Sequence, residues 1–136
     1  MRSRLAAVVV AVALMAVAMP VWAGQPWFSV QPGIKVLDIQ ADTDSSGDFG
    51  ARGTVQNTTS KVEMLAVGLG FYDADNHMLA SITAVVTVPA GGTEDFQTNY
   101  VSSDKVRGFD HLGLIVGDVD YMNNPNPPTY TTNNTI

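Results

Sequence analysis

Large apolar and small residues alternate through the middle of the chain: Leu65, Val67, Leu69 and Phe71 are separated by Ala66, Gly68 and Gly70. A period of two marks a β-strand with one buried face. The same period carries Ile82, Ala84, Val86 and Val88 through a segment over 78–88, and Leu112, Leu114 and Val116 through one over 111–119. Further strands are predicted over 34–41, 49–56 and 93–101, the last holding Phe96. Clusters of Asp, Ser, Asn, Gly and Pro at 42–48, 57–60, 73–76 and 89–92 separate these segments, and a polar loop covers 102–107. Such residues satisfy their own backbone locally or tolerate left-handed conformations, so each cluster reads as a turn. No helical period follows residue 23. Six or seven short strands broken by turns predict an all-β antiparallel sandwich over 34–120.

The two ends of the chain read differently. Residues 1–4 carry Arg2 and Arg4, residues 5–19 are an unbroken run of Ala, Val, Leu and Met, and Pro20-Val21-Trp22-Ala23 follows. A basic start, a short apolar run and small or β-branched residues at Val21 and Ala23 form a secretory signal with cleavage expected after Ala23. The run is shorter than a spanning helix requires, and Pro20 ends it. Residues 24–33, with two prolines and two glycines, are expected to form a leader into the fold. At the other end, Asn, Pro and Thr make up 12 of the 16 residues over 121–136. That composition offers little apolar area to repay ordering, so a disordered tail is expected. The alternative is that 129–136 docks as an extended strand on a sheet edge.

Charge and composition narrow the function classes. The 136 residues hold 13 Asp and Glu against 7 Lys and Arg, and removing 1–23 leaves five basic residues against the same 13 acids, a net −8. A chain this acidic lacks the basic stripe that nucleic-acid binding needs. With no cysteine there is no disulfide, thiolate metal site, cysteine nucleophile or lipid anchor on cysteine. No later stretch is apolar enough to span a bilayer as a helix. A periplasmic or secreted destination is expected, with no membrane span once the signal is removed.

Several short motifs resemble the FxLYD domain family of bacterial extracytoplasmic proteins: Gly53-Thr-Val55-Gln-Asn57, then Leu69-Gly-Phe71-Tyr72-Asp73, then Pro89-Ala-Gly91 and Phe96. Leu69 stands where the family has Phe and Phe71 where it has Leu, a swap that keeps apolar volume on one face. Asn76 stands where the family usually has Gly, and Asn is the next-best residue for a left-handed turn position. The resemblance covers about 34–120 and implies an immunoglobulin-like β-sandwich. It implies structural rather than catalytic roles for the matched residues: Phe71 in the core, Tyr72 as a half-buried aromatic and Asp73 as a turn former.

Two constellations could carry ion chemistry. Asp42, Asp44, Ser46 and Asp48 occupy positions 1, 3, 5 and 7 of a calcium-type loop with Gly47 at position 6. Position 12 is Gly53 rather than Glu, and no helix flanks the loop, so a polar hairpin turn is the main reading and a calcium site the alternative. Asp73, Asp75, His77 and Met78 gather at the next hairpin, where His with Met would suit copper. An exposed turn is again the main reading, with the other histidine, His111, distant in sequence. Asp110, Asp118 and Asp120 are expected to keep the ends of the last strand solvated. Asn57-Thr-Thr59 and Asn133-Asn-Thr135 match the glycosylation pattern at the rate chance allows. Nucleophile-elbow, phosphate-loop and metalloprotease motifs are absent. The sequence therefore predicts no enzyme and no obligatory cofactor. It predicts a non-catalytic extracytoplasmic module contacting an envelope or secreted protein, with cation binding at 42–48 as the alternative.

Overall fold

The computed structural model describes residues 26–127 and 129–130. The expected signal peptide over 1–23, residues 24–25 and the end of the tail over 131–136 lie outside the described residues. The strands are β1 (Trp27–Val30), β2 (Ile34–Thr43), β3 (Phe49–Asn57), β4 (Glu63–Tyr72), β5 (Met78–Val88), β6 (Thr93–Gln97), β7 (His111–Gly117) and β8 (Thr129–Tyr130). A 3₁₀ turn spans Ser103–Val106, and a short helix, α1, spans Val119–Asn123. The strands form two sheets, one in the order β5-β4-β7-β1-β8 and one in the order β2-β3-β6. Every pairing is antiparallel except that of β1 with β7. The protein is an all-β sandwich.

Alternation along β4 builds the core, because its odd-numbered side chains all point between the sheets. Leu65, Val67, Leu69 and Phe71 are buried there with Val36 and Val55 of the smaller sheet, Ile82 and Val88 of β5, Phe96 of β6, and Leu114 and Val116 of β7. Phe71 meets Phe109 edge to face, with ring centroids 5.2 Å apart. Each large side chain removed from water here contributes about 1.5–3 kcal/mol.

The opposite face of the larger sheet is paved with glycine. Trp27 lies on Gly113, Tyr72 on Gly70 and Tyr121 on Gly117, each so closely that a Cβ would overlap the ring. Glycines in these strands therefore serve close ring approach, a known positional use of the residue. The covering rings tie in both ends of the described chain.

Two expectations for those ends are corrected. Within the expected leader 24–33, Trp27–Val30 is a strand. Phe28 and Val30 pack against the core, while Trp27 covers Gly113. Its partners β7 and β8 are remote in sequence, so the local prolines and glycines dominated the expectation. Within the expected tail 121–136, Tyr121 is buried, and its hydroxyl is 2.7 Å from Ser29 Oγ. Asp118, expected only to solvate a strand end, caps α1 by accepting the Tyr121 N–H at 2.9 Å. β8 pairs with β1, Trp27 opposite Tyr130 and Phe28 opposite Thr129.

The predicted strand over 93–101 ends early, at Gln97. Thr98 Oγ1 accepts from Ala51 N–H, and Asn99 bonds the backbone of Thr83 on β5 with both its side chain and its N–H. The chain thus crosses from the smaller sheet to the edge of the larger one.

Candidate functional site

The richest collection of reactive side chains lies where β4 meets β5 and β7. Tyr72 ends β4, and the register places His111, the first residue of β7, directly opposite it. The two rings stack, with centroids 5.4 Å apart and planes 9° from parallel. Trp27 flanks Tyr72 at 5.8 Å and 49°. His111 is buried, and its Nδ1 lies 2.9 Å from Asp110 Oδ2. The backbone holds the same corner, Asp110 N–H donating to Tyr72 C=O at 2.7 Å. Burial pushes the Tyr72 phenol pKa above its ordinary value.

Asp73, Asp75 and His77 follow immediately in the β4–β5 turn. Asp73 Oδ1 accepts from the N–H groups of Asp75 at 2.9 Å and His77 at 2.8 Å, and Asp73 Oδ2 is 3.3 Å from His77 Nδ1. These contacts, led by the His77 backbone N–H, hold the Asp73 carboxyl below the usual carboxylate range. One ligand atom from each of Asp73, Asp75 and His77 lies within 4.8 Å of the others. Such a set of two carboxylates and an imidazole can ligate a divalent transition metal. His111, which the sequence left distant, is brought to the same end of the sandwich by the register of β7.

In the 42–48 loop a single carboxylate organises the turn. Asp44 Oδ1 accepts from the N–H groups of Ser46 at 2.9 Å and Asp48 at 3.0 Å, and Asp42 accepts the Tyr100 hydroxyl. That bond raises the Tyr100 pKa. Asp42, Asp44 and Asp48 do not converge as a metal-competent set among the described residues. The turn repeats the geometry of the 73–77 turn residue for residue. In each, the leading Asp N–H donates to the carbonyl four residues on, its carboxylate accepts the N–H groups two and four residues on, and the fourth residue is left-handed. That fourth residue is Gly47 at φ 80° in one turn and Asn76 at φ 65° in the other.

Of the motif residues singled out in the sequence, Gly53 and Phe96 border a groove on the three-stranded sheet, and the others do not gather there. Val55, Leu69, Phe71 and Phe96 are core. Gly53 sits where a Cβ would overlap the Asp38 carbonyl and crowd Phe96, and Gly91 supplies φ 70° in the turn after β5. Asn57 is fully buried, which leaves no room for a glycan on its amide. Sequence reasoning missed the Trp27–Tyr72–His111 stack. The available signal was the glycine alternation at 68, 70, 113 and 117, which marks strands that rings can cover.

No helix among the described residues is long and apolar enough to cross a membrane. No protein-family model matches the sequence, and no curated protein matches it. Among solved structures, the chain is similar to the crystal structure of Campylobacter jejuni cj0090, at 15% identity and a TM-score of 0.43, the match covering 65% of this chain and 95% of that one.

Proposed function

We propose that this chain is an extracytoplasmic, non-catalytic module of immunoglobulin-like, FxLYD-like type that works by contacting an envelope or secreted protein. The observation that carries this reading is an apolar strip on the outer face of the larger sheet at its β5 edge. Met64 and Val85 are 66% and 71% exposed. They stand on one face, because Met64 pairs with Thr87 and Ala66 with Val85. Val62, just before β4, is exposed as well. Apolar side chains clustered on a rim of polar ones mark contact surfaces. The signal-type sequence of residues 1–23 supports the location, and the lack of cysteine removes a cysteine lipid anchor.

A photo-crosslinking residue at position 85, expressed in the native cell, should yield one discrete adduct that Met64→Asp abolishes while the melting temperature stays unchanged. A crosslinking pattern no different from that of a probe at exposed Lys35 would refute the reading.

A second reading, divalent-cation binding, is favoured by the convergence of Asp73, Asp75 and His77. It shifts the candidate ligands from the 42–48 loop to the β4–β5 turn. Titration with zinc and with calcium, followed by thermal unfolding, tests it. A zinc-induced rise in melting temperature that His77→Ala removes is the expected result, and a rise lost instead in Asp44→Ala would return the site to the 42–48 loop.

A further inference from the structure

We propose that the outer face of the three-stranded sheet binds a neutral oligosaccharide. An open groove of about 610 Å³ lies there. Beside Gly53 and Phe96, two rows of side chains line it, each row crossing β2, β3 and β6 in register. Gln40, Arg52 and Gln97 form one row, and Asp38, Thr54 and Asp95 form the other. The rows are two residues apart along each strand, so all six side chains project from the same face. The register shift between Val36 and Asp38 sets Asp38 opposite Thr54.

The hydrogen bonds within the groove leave much of its capacity open. Gln40 Nε2 donates to Asp38 Oδ2 at 3.1 Å, Thr54 Oγ1 donates to Asp95 Oδ1 at 2.8 Å, and Gln97 Nε2 donates to the Tyr100 hydroxyl at 2.8 Å. The other oxygen of each carboxylate and both glutamine carbonyls remain available. Arg52 has no hydrogen-bond or ion-pair partner among the described residues, so its whole fork of donors faces the groove. At one end Tyr100 lies on Gly50, where a Cβ would come within 2.9 Å of the ring. Its hydroxyl is fixed by Asp42 and Gln97.

Chemistry selects the ligand class by exclusion. An apolar ligand would find little to hold it, because Phe96, the one large apolar residue among the eight that line the groove, is buried in the core and the six outward side chains are polar. An anion would meet two carboxylates for a single guanidinium. A metal ion cannot be shared by Asp38 and Asp95, which stand on strands separated by β3, about 10 Å apart at two strand spacings. An added strand would pair in the plane of the sheet at the edges β2 or β6, not on the face that carries the groove, whose central strand β3 is paired on both sides. What remains is a ligand with many hydroxyls, which donate to carboxylates and accept from guanidinium and amide groups in one plane. Tyr100 supplies the flat apolar surface on which the C–H face of a sugar ring can lie. Because the groove is open, the ligand is a segment of a longer glycan rather than an enclosed monosaccharide. This inference stands apart from the protein-contact surface, which lies on the other sheet.

The test is a titration of the isotopically labelled chain with three probes, the tetramer of N-acetylglucosamine, cellotetraose and maltotetraose, followed by amide NMR shifts. At least one probe should shift the amides of Arg52, Thr54 and Gln97 in a saturable way. Arg52→Met and Gln97→Ala, both at exposed positions, should each weaken binding about tenfold with the rest of the spectrum unchanged. Absence of saturable shifts with all three probes would overturn the proposal. So would shifts confined to the larger sheet, binding indifferent to Arg52→Met, or equal shifts from an uncharged Ser/Thr-rich peptide.

Discussion

Asn57→Ala removes a side chain whose every hydrogen-bonding position is used. Its Nδ2 donates to Lys61 C=O at 2.8 Å and to Val88 C=O at 3.1 Å, and its Oδ1 accepts Thr59 N–H at 2.9 Å and the Thr59 hydroxyl at 2.6 Å. The residue is fully buried, so water does not replace the lost partners. Four net contributions of about 0.5–1.5 kcal/mol each, together with the desolvated Val88 carbonyl, put the loss at about 3–4 kcal/mol. With Asn57 gone, the single Thr59 hydroxyl proton is free to turn to Lys61 C=O, 3.1 Å away, which holds the loss below the sum of the extremes. For a domain of this size the melting temperature should fall by more than about 10 °C. Urea unfolding of the chain from residue 24 measures the loss directly. A double-mutant cycle with Thr59→Val should give a coupling of about 1 kcal/mol. Asn57→Asp keeps the two acceptor contacts but brings a charge into the buried site, and it should cost at least as much as the alanine. A loss under about 1 kcal/mol for Asn57→Ala, or a mild Asn57→Asp, would mean that water reaches the site and the reasoning fails.

The glycine paving predicts that Gly113→Ala displaces the Trp27 indole and costs about 1–3 kcal/mol; Trp27 is the sole tryptophan after residue 23, so its fluorescence should report the change. At the matched turns, Asn76→Gly should leave stability within about 0.5 kcal/mol, whereas Asn76→Val should cost about 1–2 kcal/mol by forcing a β-branched residue into the left-handed region, as chemical denaturation will show. The depressed Asp73 pKa gives a turn contribution that is complete above the ordinary carboxylate range and lost as pH falls through the lower folded value; melting curves in acid should therefore lose less stability in Asp73→Asn than in the parent. Phe71→Ala should cost about 3–5 kcal/mol in urea unfolding, the loss expected of an aromatic core truncation.

Local alternation made the sandwich legible. The inward parity of Leu65, Val67, Leu69 and Phe71 was readable because a strand's side-chain period is fixed by its backbone. The starts of β2, β3, β5 and β6 followed from Gly, Pro and Asp clusters whose turn chemistry is equally local. β1 and α1 were not legible, because Trp27 packs on Gly113 of a strand remote in sequence and Tyr121, though it lies on nearby Gly117, is tied by its hydroxyl to distant Ser29. The 42–48 loop shows the converse. Its carboxylate spacing suggests an ion, yet the same spacing sets one Asp to cap its own turn, and a sequence does not distinguish these uses. His111 joined Tyr72 only through the β4–β7 register, which no short window contains.

The parallel pairing of β1 with β7 bears on when the fold can close. β1 is the first described strand to emerge during synthesis, but the strands on either side of it, β7 and β8, are among the last. The larger sheet therefore cannot close on a partly synthesised chain, and β1 waits without its sheet neighbours until almost all the described residues are present. Closing so distant a contact is slow relative to hairpin formation. That delay makes completion of the larger sheet the closing step of folding, taken only when nearly the whole described chain is at hand.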